Sequence, residues 1–330
     1  MVDLTVTENF AAASKTAALK RFGRSDTRFR LLTQAASLLV LVIFIGLIAA
    51  LLQGAWPAIK KFGFGFLVTD AWNPVTEHFG ALPAIYGTVL TSALAMLVAV
   101  PVGIGIAIFL TELCPRPLKR PIGIAIELLA GIPSIIYGIW GLFVFAPFFQ
   151  TTIQPWLIDR LANVPMLSDL FAGPPYGIGV FTASLILSIM VLPFISAVTR
   201  DVFETVPAVV KEAAYGLGCT TWEVMWHVVL PYARSGVVGG AMLALGRALG
   251  ETMAVTFVIG NAHHISPSLF APGTTISAAI ANEFTEALGD LYVSSLIYSG
   301  LVLFCITFIV LATAQLMLRS LERRAGGRSQ

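Results

Sequence analysis

Residues 212–231 read EAAYGLGCTTWEVMWHVVLP, a polar, helix-forming stretch set between two long apolar runs. Pro207 suits the first position of a helix. Glu212, Ala213 and Ala214 are helix-compatible, and the alanines are small enough to lie in a groove. Gly216 and Gly218 end that helix, because glycine accepts a left-handed terminus. The spacing predicts one short helix over 207–216. Thr220-x-x-Glu223 then reads as a capping box opening a second helix. Its apolar side chains Val224, Met225, Val228 and Val229 turn back towards the flanking apolar run, and Leu230-Pro231 is expected to stop it. A helix-turn-helix elbow results, with Glu212, Ala213, Ala214, Gly218, Leu230 and Pro231 as its key positions.

The rest of the chain says what the elbow is attached to. Of 330 residues, 57% are hydrophobic and 12% charged, against about 25% charged in a soluble domain. The mean hydropathy is +0.86, that of an integral membrane protein. A net charge of +2 gives no footprint for nucleic acid. Cys114, Cys219 and Cys305 are far apart and odd in number, so no disulfide framework is implied. The four histidines, including His263-His264, show no zinc spacing, and the pair reads as a polar loop. No GxxxxGK[ST] phosphate loop occurs, so an ATP site of that kind is absent. No metal or cofactor is implied.

Six stretches can cross a hydrocarbon core, which needs about 20 apolar residues each: roughly 31–53, 86–111, 122–147, 177–199, 235–260 and 293–318. If the N-terminus is cytoplasmic, sixteen Lys and Arg lie on the inside and three (Lys60, Lys61 and Arg160) outside. That bias expects both termini in the cytoplasm. The domains follow: a basic tail 1–30 against anionic lipid, the first span with its external loop 31–85, a core 86–318 whose elbow loop is 201–234, and a cytoplasmic C-terminus 319–330. The first span is expected to be a signal-anchor, too long for a cleaved signal. Pro101, Pro133 and Pro193 fall inside spans, where neighbours or water must satisfy the freed carbonyls. Gly131, Gly138 and Gly141 beside Pro133 suit either close helix packing or a hinge along a pathway. The external loops 54–85, 148–176 and 261–292 hold Trp56, Trp72, Trp156 and Tyr176, suited to the membrane interface. None is long enough for a domain that captures a scarce substrate.

The fifth span, SGVVGGAMLALGRALGETMAVTFVIG, carries Arg247 and Glu251, four apart and so expected on one helix face. Arg247 lies twelve residues past Ser235, about 18 Å deep. A central Arg costs about 2.5–3.5 kcal/mol on insertion scales, so it should face protein or water. It either forms a structural ion pair with Glu251 or serves as a waypoint for an anion, since its fork matches a tetrahedral oxyanion. Gly236, Gly239, Gly240, Gly246 and Gly250 give this helix a bare face. Glu127 is expected about 9 Å into the third span, near interfacial water.

These residues carry a family resemblance. The elbow resembles the cytoplasmic coupling loop of ABC-importer permeases. FGALPAIYGTVLTS (79–92), PVGIGIAIFLTEL (101–113), ELLAGIPSIIYGIWGLFVFAP (127–147), RDVFETVP (200–207) and GRALGETMAVTFVIGN (246–261) resemble the permease subunits of bacterial phosphate-specific importers. The resemblance implies an all-α membrane protein of six transmembrane helices, of the MetI-like permease type, with a cytoplasmic coupling helix. It implies a PstA-type second permease, a PstB-type ATPase dimer that the elbow meets, a PstS-type periplasmic phosphate-binding protein and a phosphate-sensing two-component system. In that family an Arg and an acidic residue of the fifth span matter for transport, and here they match Arg247 and Glu251. The subunit is then a non-catalytic inner-membrane channel for inorganic phosphate. A permease for another oxyanion such as molybdate would show the same elbow. A proton-coupled carrier using Glu251 would leave the elbow without a purpose, and a purely sensory role remains open.

Overall fold

The computed structural model describes residues 4–161, 164 and 167–326, with side chains from 29 to 319 among them. The other side chains of the basic tail and of the C-terminus lie outside the described residues. Among the described residues six helices are long and apolar enough to cross a membrane: Phe29–Leu67, Leu82–Leu113, Ser134–Leu161, Val180–Glu204, Thr221–Leu249 and Asp290–Arg319. The chain divides into two compact units, the first ending at Gln53 and the second running from Gly54. The first unit is helical throughout its described length, within α1 (Leu4–Phe62). Its side chains from Leu38 to Ile45 are all exposed large apolar groups, as suits lipid.

The second unit is built on α2 (Leu82–Ile108) and α5 (Val180–Glu204), which pack along their length. Ala95 and Ala99 meet Ala183, Ile186, Leu187, Val191 and Ile195 in one buried cluster. Small residues on α2 let the backbones close: a Cβ on Gly103 would lie 2.7 Å from Ile195. The same device seats α7 (Thr221–Leu249), where Val202 and Val198 fill the places of side chains that Gly236 and Gly240 lack. Pro101 and Pro193 do lie inside helices.

The third span differs from its expected 122–147. Residues 116–130 form a separate helix, α3 (Arg116–Ala130), apolar on one side only. It ends at Gly131, and the span proper, α4 (Ser134–Leu161), starts after Pro133. Pro133 therefore stands between two helices, with extended backbone angles. Proline disfavours helical geometry in the residue before it, which accounts for the break. Tyr137 crosses the gap, donating from its hydroxyl to the Leu129 carbonyl at 2.9 Å. Glu127 is thus not in a span at all: it lies on α3, half-exposed, and pairs with Arg200 of α5 at 2.7 Å.

The fifth span is also interrupted. α7 ends at Leu249, residues 250–252 leave the helix, and α8 (Met253–Ile259) follows. α8 packs on α4. A Cβ on Gly138 of α4 would lie 2.7 Å from the Phe257 ring and 2.8 Å from the Met253 carbonyl oxygen. The two helices that follow the breaks therefore touch backbone to backbone.

A hairpin of β1 (Trp72–Asn73) and β2 (His78–Phe79) meets α9 (Ile276–Glu283) and the start of α10 (Asp290–Gly326). Trp72 is not left free at the membrane interface. Its indole donates to Glu283 at 2.6 Å and its ring stacks on His263 at 5.1 Å. His263 at 2.5 Å and the Tyr292 hydroxyl at 2.7 Å complete the shell of Glu283. Burial raises the pKa of this carboxyl, but the hydrogen bonds from His263, Tyr292 and Trp72 and the charge of His263 outweigh it and hold the group below its ordinary range.

Two outcomes follow from these contacts. Gly138→Val would overpack the α4–α8 contact at a cost of about 1–3 kcal/mol, so the unfolding temperature of the solubilised protein should fall by several degrees. An unchanged temperature would show that the two helices are not in contact. For Glu283 the folded pKa is depressed, so its contribution is complete above the unfolded value of about 4.3 and is lost as pH falls through the folded one. Glu283→Gln should lower the unfolding temperature at neutral pH, and the gap to the parent should close below about pH 4. A gap that stays constant with pH would count against the ionised carboxylate.

Candidate functional site

The elbow folds as its local sequence dictates, with three differences. Pro207, in an extended conformation, is the N-cap of α6 (Ala208–Gly216) and not its first residue. The helix closes with Gly218 at φ +87°. The Cys219 amide donates to the Ala214 carbonyl (3.2 Å) and the Gly218 amide to Tyr215 (2.9 Å). That is the paired-bond ending in which glycine supplies the left-handed residue. Thr220 and Glu223 form the reciprocal capping box at the start of α7: the Glu223 amide donates to Thr220 Oγ1 at 3.4 Å and the Thr220 amide to Glu223 Oε2 at 2.8 Å.

The second difference is Ala214. It is buried on the inner side of the elbow, with Val224, Met225 and Val229 against Phe203, Val206 and Ala107. Glu212 and Ala213 are exposed. So are Val209 (74%), Leu217 (87%) and Trp222 (65%), and Trp222 meets Trp226 edge-on at 5.3 Å. Large apolar side chains are thus exposed on both sides of the turn, as at surfaces that take a protein partner. Lys211, on the same helix, reaches Glu112 at the end of the second span at 2.6 Å, with both side chains less than a fifth exposed. This pair ties the elbow to the span, and no local spacing could reveal it, since the two residues are 99 apart.

The third difference is that Leu230-Pro231 does not stop the helix. Residues 225–229 widen into a π turn in which the Leu230 amide reaches back five residues to Met225. Proline has no N–H to donate and its ring crowds the carbonyl four residues back. A π turn just before it relieves that conflict. The helix therefore runs unbroken from Thr221 to Leu249.

Arg247 and Glu251 are not one turn apart on a common face. Arg247 sits in the last turn of α7, and Glu251 in the gap before α8. Glu251 Oε1 accepts from the Ala254 amide at 3.3 Å, capping α8. Arg247 is exposed and makes no ion pair or side-chain hydrogen bond among the described residues. Leu243, one turn earlier, is 61% exposed, and Met253, just past the gap, 45%. Gly250, which opens the gap, is the signal that could have shown the break.

Comparisons with known proteins agree with this architecture. Residues 99–326 match the family described as binding-protein-dependent transport system inner membrane component. A phosphate transport system permease protein PstC of Mesorhizobium japonicum is 66% identical over 314 residues, covering 95% of this chain and 96% of the relative. One from Haemophilus influenzae is 54% identical, covering 91% and 95%. A probable one from Methanocaldococcus jannaschii is 38% identical, covering 90% and 94%. Among solved structures, a bacterial ABC transporter that imports the acidic polysaccharide alginate aligns with TM-score 0.59 at 18% identity, over 90% of this chain and 98% of that one. An inward-facing MetNI methionine ABC transporter aligns with TM-score 0.51 at 16% identity, over 73% and 94%. At such identities the likeness concerns the fold. The chain therefore belongs to the binding-protein-dependent transport system inner membrane components, and among them to the phosphate transport system permeases of the PstC type.

Proposed function

We propose that this chain lines half of a phosphate path through the inner membrane, with Arg247 as its oxyanion contact and the 207–231 elbow as the surface that meets the ATPase. The family sets the frame. The chain is a multi-pass inner-membrane subunit, itself non-catalytic, of a phosphate-importing ABC system that works with an ATPase and a periplasmic binding protein. The finer assignment has a PstA-type permease facing Arg247, a PstB-type ATPase dimer on the elbow and a PstS-type protein outside. A link to a phosphate-sensing two-component system belongs to the same reading. Both termini and the elbow then lie in the cytoplasm, in keeping with the Lys and Arg bias.

The observation that carries the path is the open position of Arg247. A guanidinium in the last turn of an apolar spanning helix must face protein or water, and no described side chain of its own chain receives it. A second permease covering Leu243 and Met253 would enclose Arg247 at the seam between the two subunits. A permanently charged, planar fork there suits an anion with tetrahedral oxygens and opposes a cation such as a polyamine. The fork alone would accept molybdate as well as phosphate, so uptake of labelled phosphate against unlabelled oxyanions separates the two readings.

Arg247→Gln removes the charge and the fork. Uptake should fall by about tenfold to a hundredfold, as for loss of one charged hydrogen bond, with the complex still assembled. Because Glu251 caps α8 and does not meet Arg247, exchanging the two (Arg247→Glu with Glu251→Arg) should leave an assembled but inactive transporter. Full uptake by the exchanged protein would remove Arg247 from the path. At the elbow, Gly218→Val places a β-branched residue at φ +87°, a strain of about 1–3 kcal/mol. That variant should insert normally yet lose the stimulation of ATP hydrolysis by loaded binding protein. Normal stimulation would remove the elbow from the coupling route.

A further inference from the structure

The end of the bundle that carries the elbow also holds a pocket that the proposed path does not use. α3 and the last turns of α5 border a cleft of about 310 Å³ whose wall includes Arg116, Lys119, Arg120, Gly123, Glu127 and Arg200. The carboxylates around it are already engaged. Glu127 and Asp201 hold one edge of the Arg200 guanidinium, through Nη2 at 2.7 and 2.9 Å, and Lys119 reaches Glu204 at 3.1 Å. Three donor groups are left over. Arg200 Nη1 has no acceptor among the described residues. Arg116 and Arg120 make no ion pair among them.

Arg200 is held in place for this task. Its side chain is only 18% exposed, clamped by two carboxylates, and it lies over Gly123. A Cβ at position 123 would come within 3.0 Å of Nη1. A fixed guanidinium with one edge satisfied and the other turned into a cleft beside two unpaired arginines is a preorganised anion receptor. Four cations face three carboxylates, Glu127, Asp201 and Glu204, so the cleft keeps a net positive charge.

We propose that this cleft binds a phosphoryl oxyanion, by fork contacts from Arg116 and Arg120 onto an anchor set by Arg200. Two sources share that chemistry. One is the headgroup of an anionic phospholipid. Leu118, Ile124 and Leu128 of α3 are large apolar side chains about half or more exposed, and Ile124 also lines the cleft, so acyl chains can lie beside the bound headgroup. The other is inorganic phosphate on the side where the elbow lies. Only that second source rests on the transport reading.

The test uses the assembled importer carrying either the native chain or Arg116→Gln with Arg120→Gln, both in an Arg247→Gln background so that the proposed path contact is removed. Both replaced side chains are exposed, and assembly is checked by size-exclusion chromatography. In one arm, the complex is placed in nanodiscs of phosphatidylcholine with or without phosphatidylglycerol, and the gain in unfolding temperature is measured. In the other, binding of radiolabelled phosphate to delipidated complex is titrated at two salt concentrations. The double variant should lose the phosphatidylglycerol-dependent gain, or weaken phosphate binding by about tenfold, the loss expected with a charged contact. Loss in the lipid arm assigns the lipid headgroup, and loss in the phosphate arm assigns the free ion. Arg116→Lys with Arg120→Lys should recover part of either effect, since charge returns without the fork. If the glutamine variant matches the parent in both arms, the cleft is no anion site, whatever becomes of the Arg247 reading.

Discussion

In hydrocarbon, every backbone N–H and C=O must find a partner inside the protein or in water it encloses. Two helix breaks bring that constraint into this fold: one at 131–133, where the third span begins, and one at 250–252, in the fifth. A break within a span cannot face lipid, so the second must be covered, and the groups freed at the first need partners as well. The chain covers them partly by itself. Tyr137 donates to the Leu129 carbonyl across the first break, and the Glu251 carboxylate accepts an α8 amide at the second. Gly138 then lets α4 and α8 meet backbone to backbone. The face that carries Leu243, Arg247 and Met253 is left open, and it adjoins the second break.

Continuity through Pro231 joins this region to the elbow. Because the π turn at 225–229 absorbs the proline, Trp222 and Arg247 stand on one helix, about 38 Å apart at 1.5 Å per residue. A stop at 230–231 would have placed a hinge between them. Under the proposed coupling, a push on the exposed residues Leu217 and Trp222 would travel along a single rod whose far end bears Arg247. The near end is held by the capping box and by the Lys211–Glu112 pair, which binds the neighbouring helix α6 to the second span. That pair is mostly buried, so breaking one partner would leave a poorly solvated charge and loosen the elbow as a unit.

What the sequence made legible was local. The capping box at Thr220 and Glu223 and the glycine ending at 218 depend on residues within one or two turns of each other, and the number of spans on continuous runs of about 20 apolar residues. The errors have separate causes. Hydropathy counts apolar residues without regard to side, so the one-sided helix 116–130 was merged with the span that follows it. The i, i+4 spacing of Arg247 and Glu251 presumes an unbroken helix, and Gly250 removes that premise. Contacts between distant segments were out of reach: Glu127 meets Arg200 across 73 residues and Trp72 meets Glu283 across 211. Trp72 therefore looked like an interface residue, and His263 like part of a plain polar loop.

The separation of Arg247 from Glu251 changes what each charge does. Arg247 lies in the last turn of α7, where the carbonyl end of the helix carries partial negative charge. Glu251 lies just before α8, where unpaired amides carry partial positive charge, and it takes one of them as a hydrogen bond. Each charge is thus eased by the end of a helix and not by the other. A mutual ion pair would have had to open for an anion to enter, at the expense of part of its binding. With the carboxylate occupied by backbone, the guanidinium keeps its donors for the oxyanion contact proposed for it. The break in the fifth span, which hid this arrangement from the spacing rule, is what leaves Arg247 available.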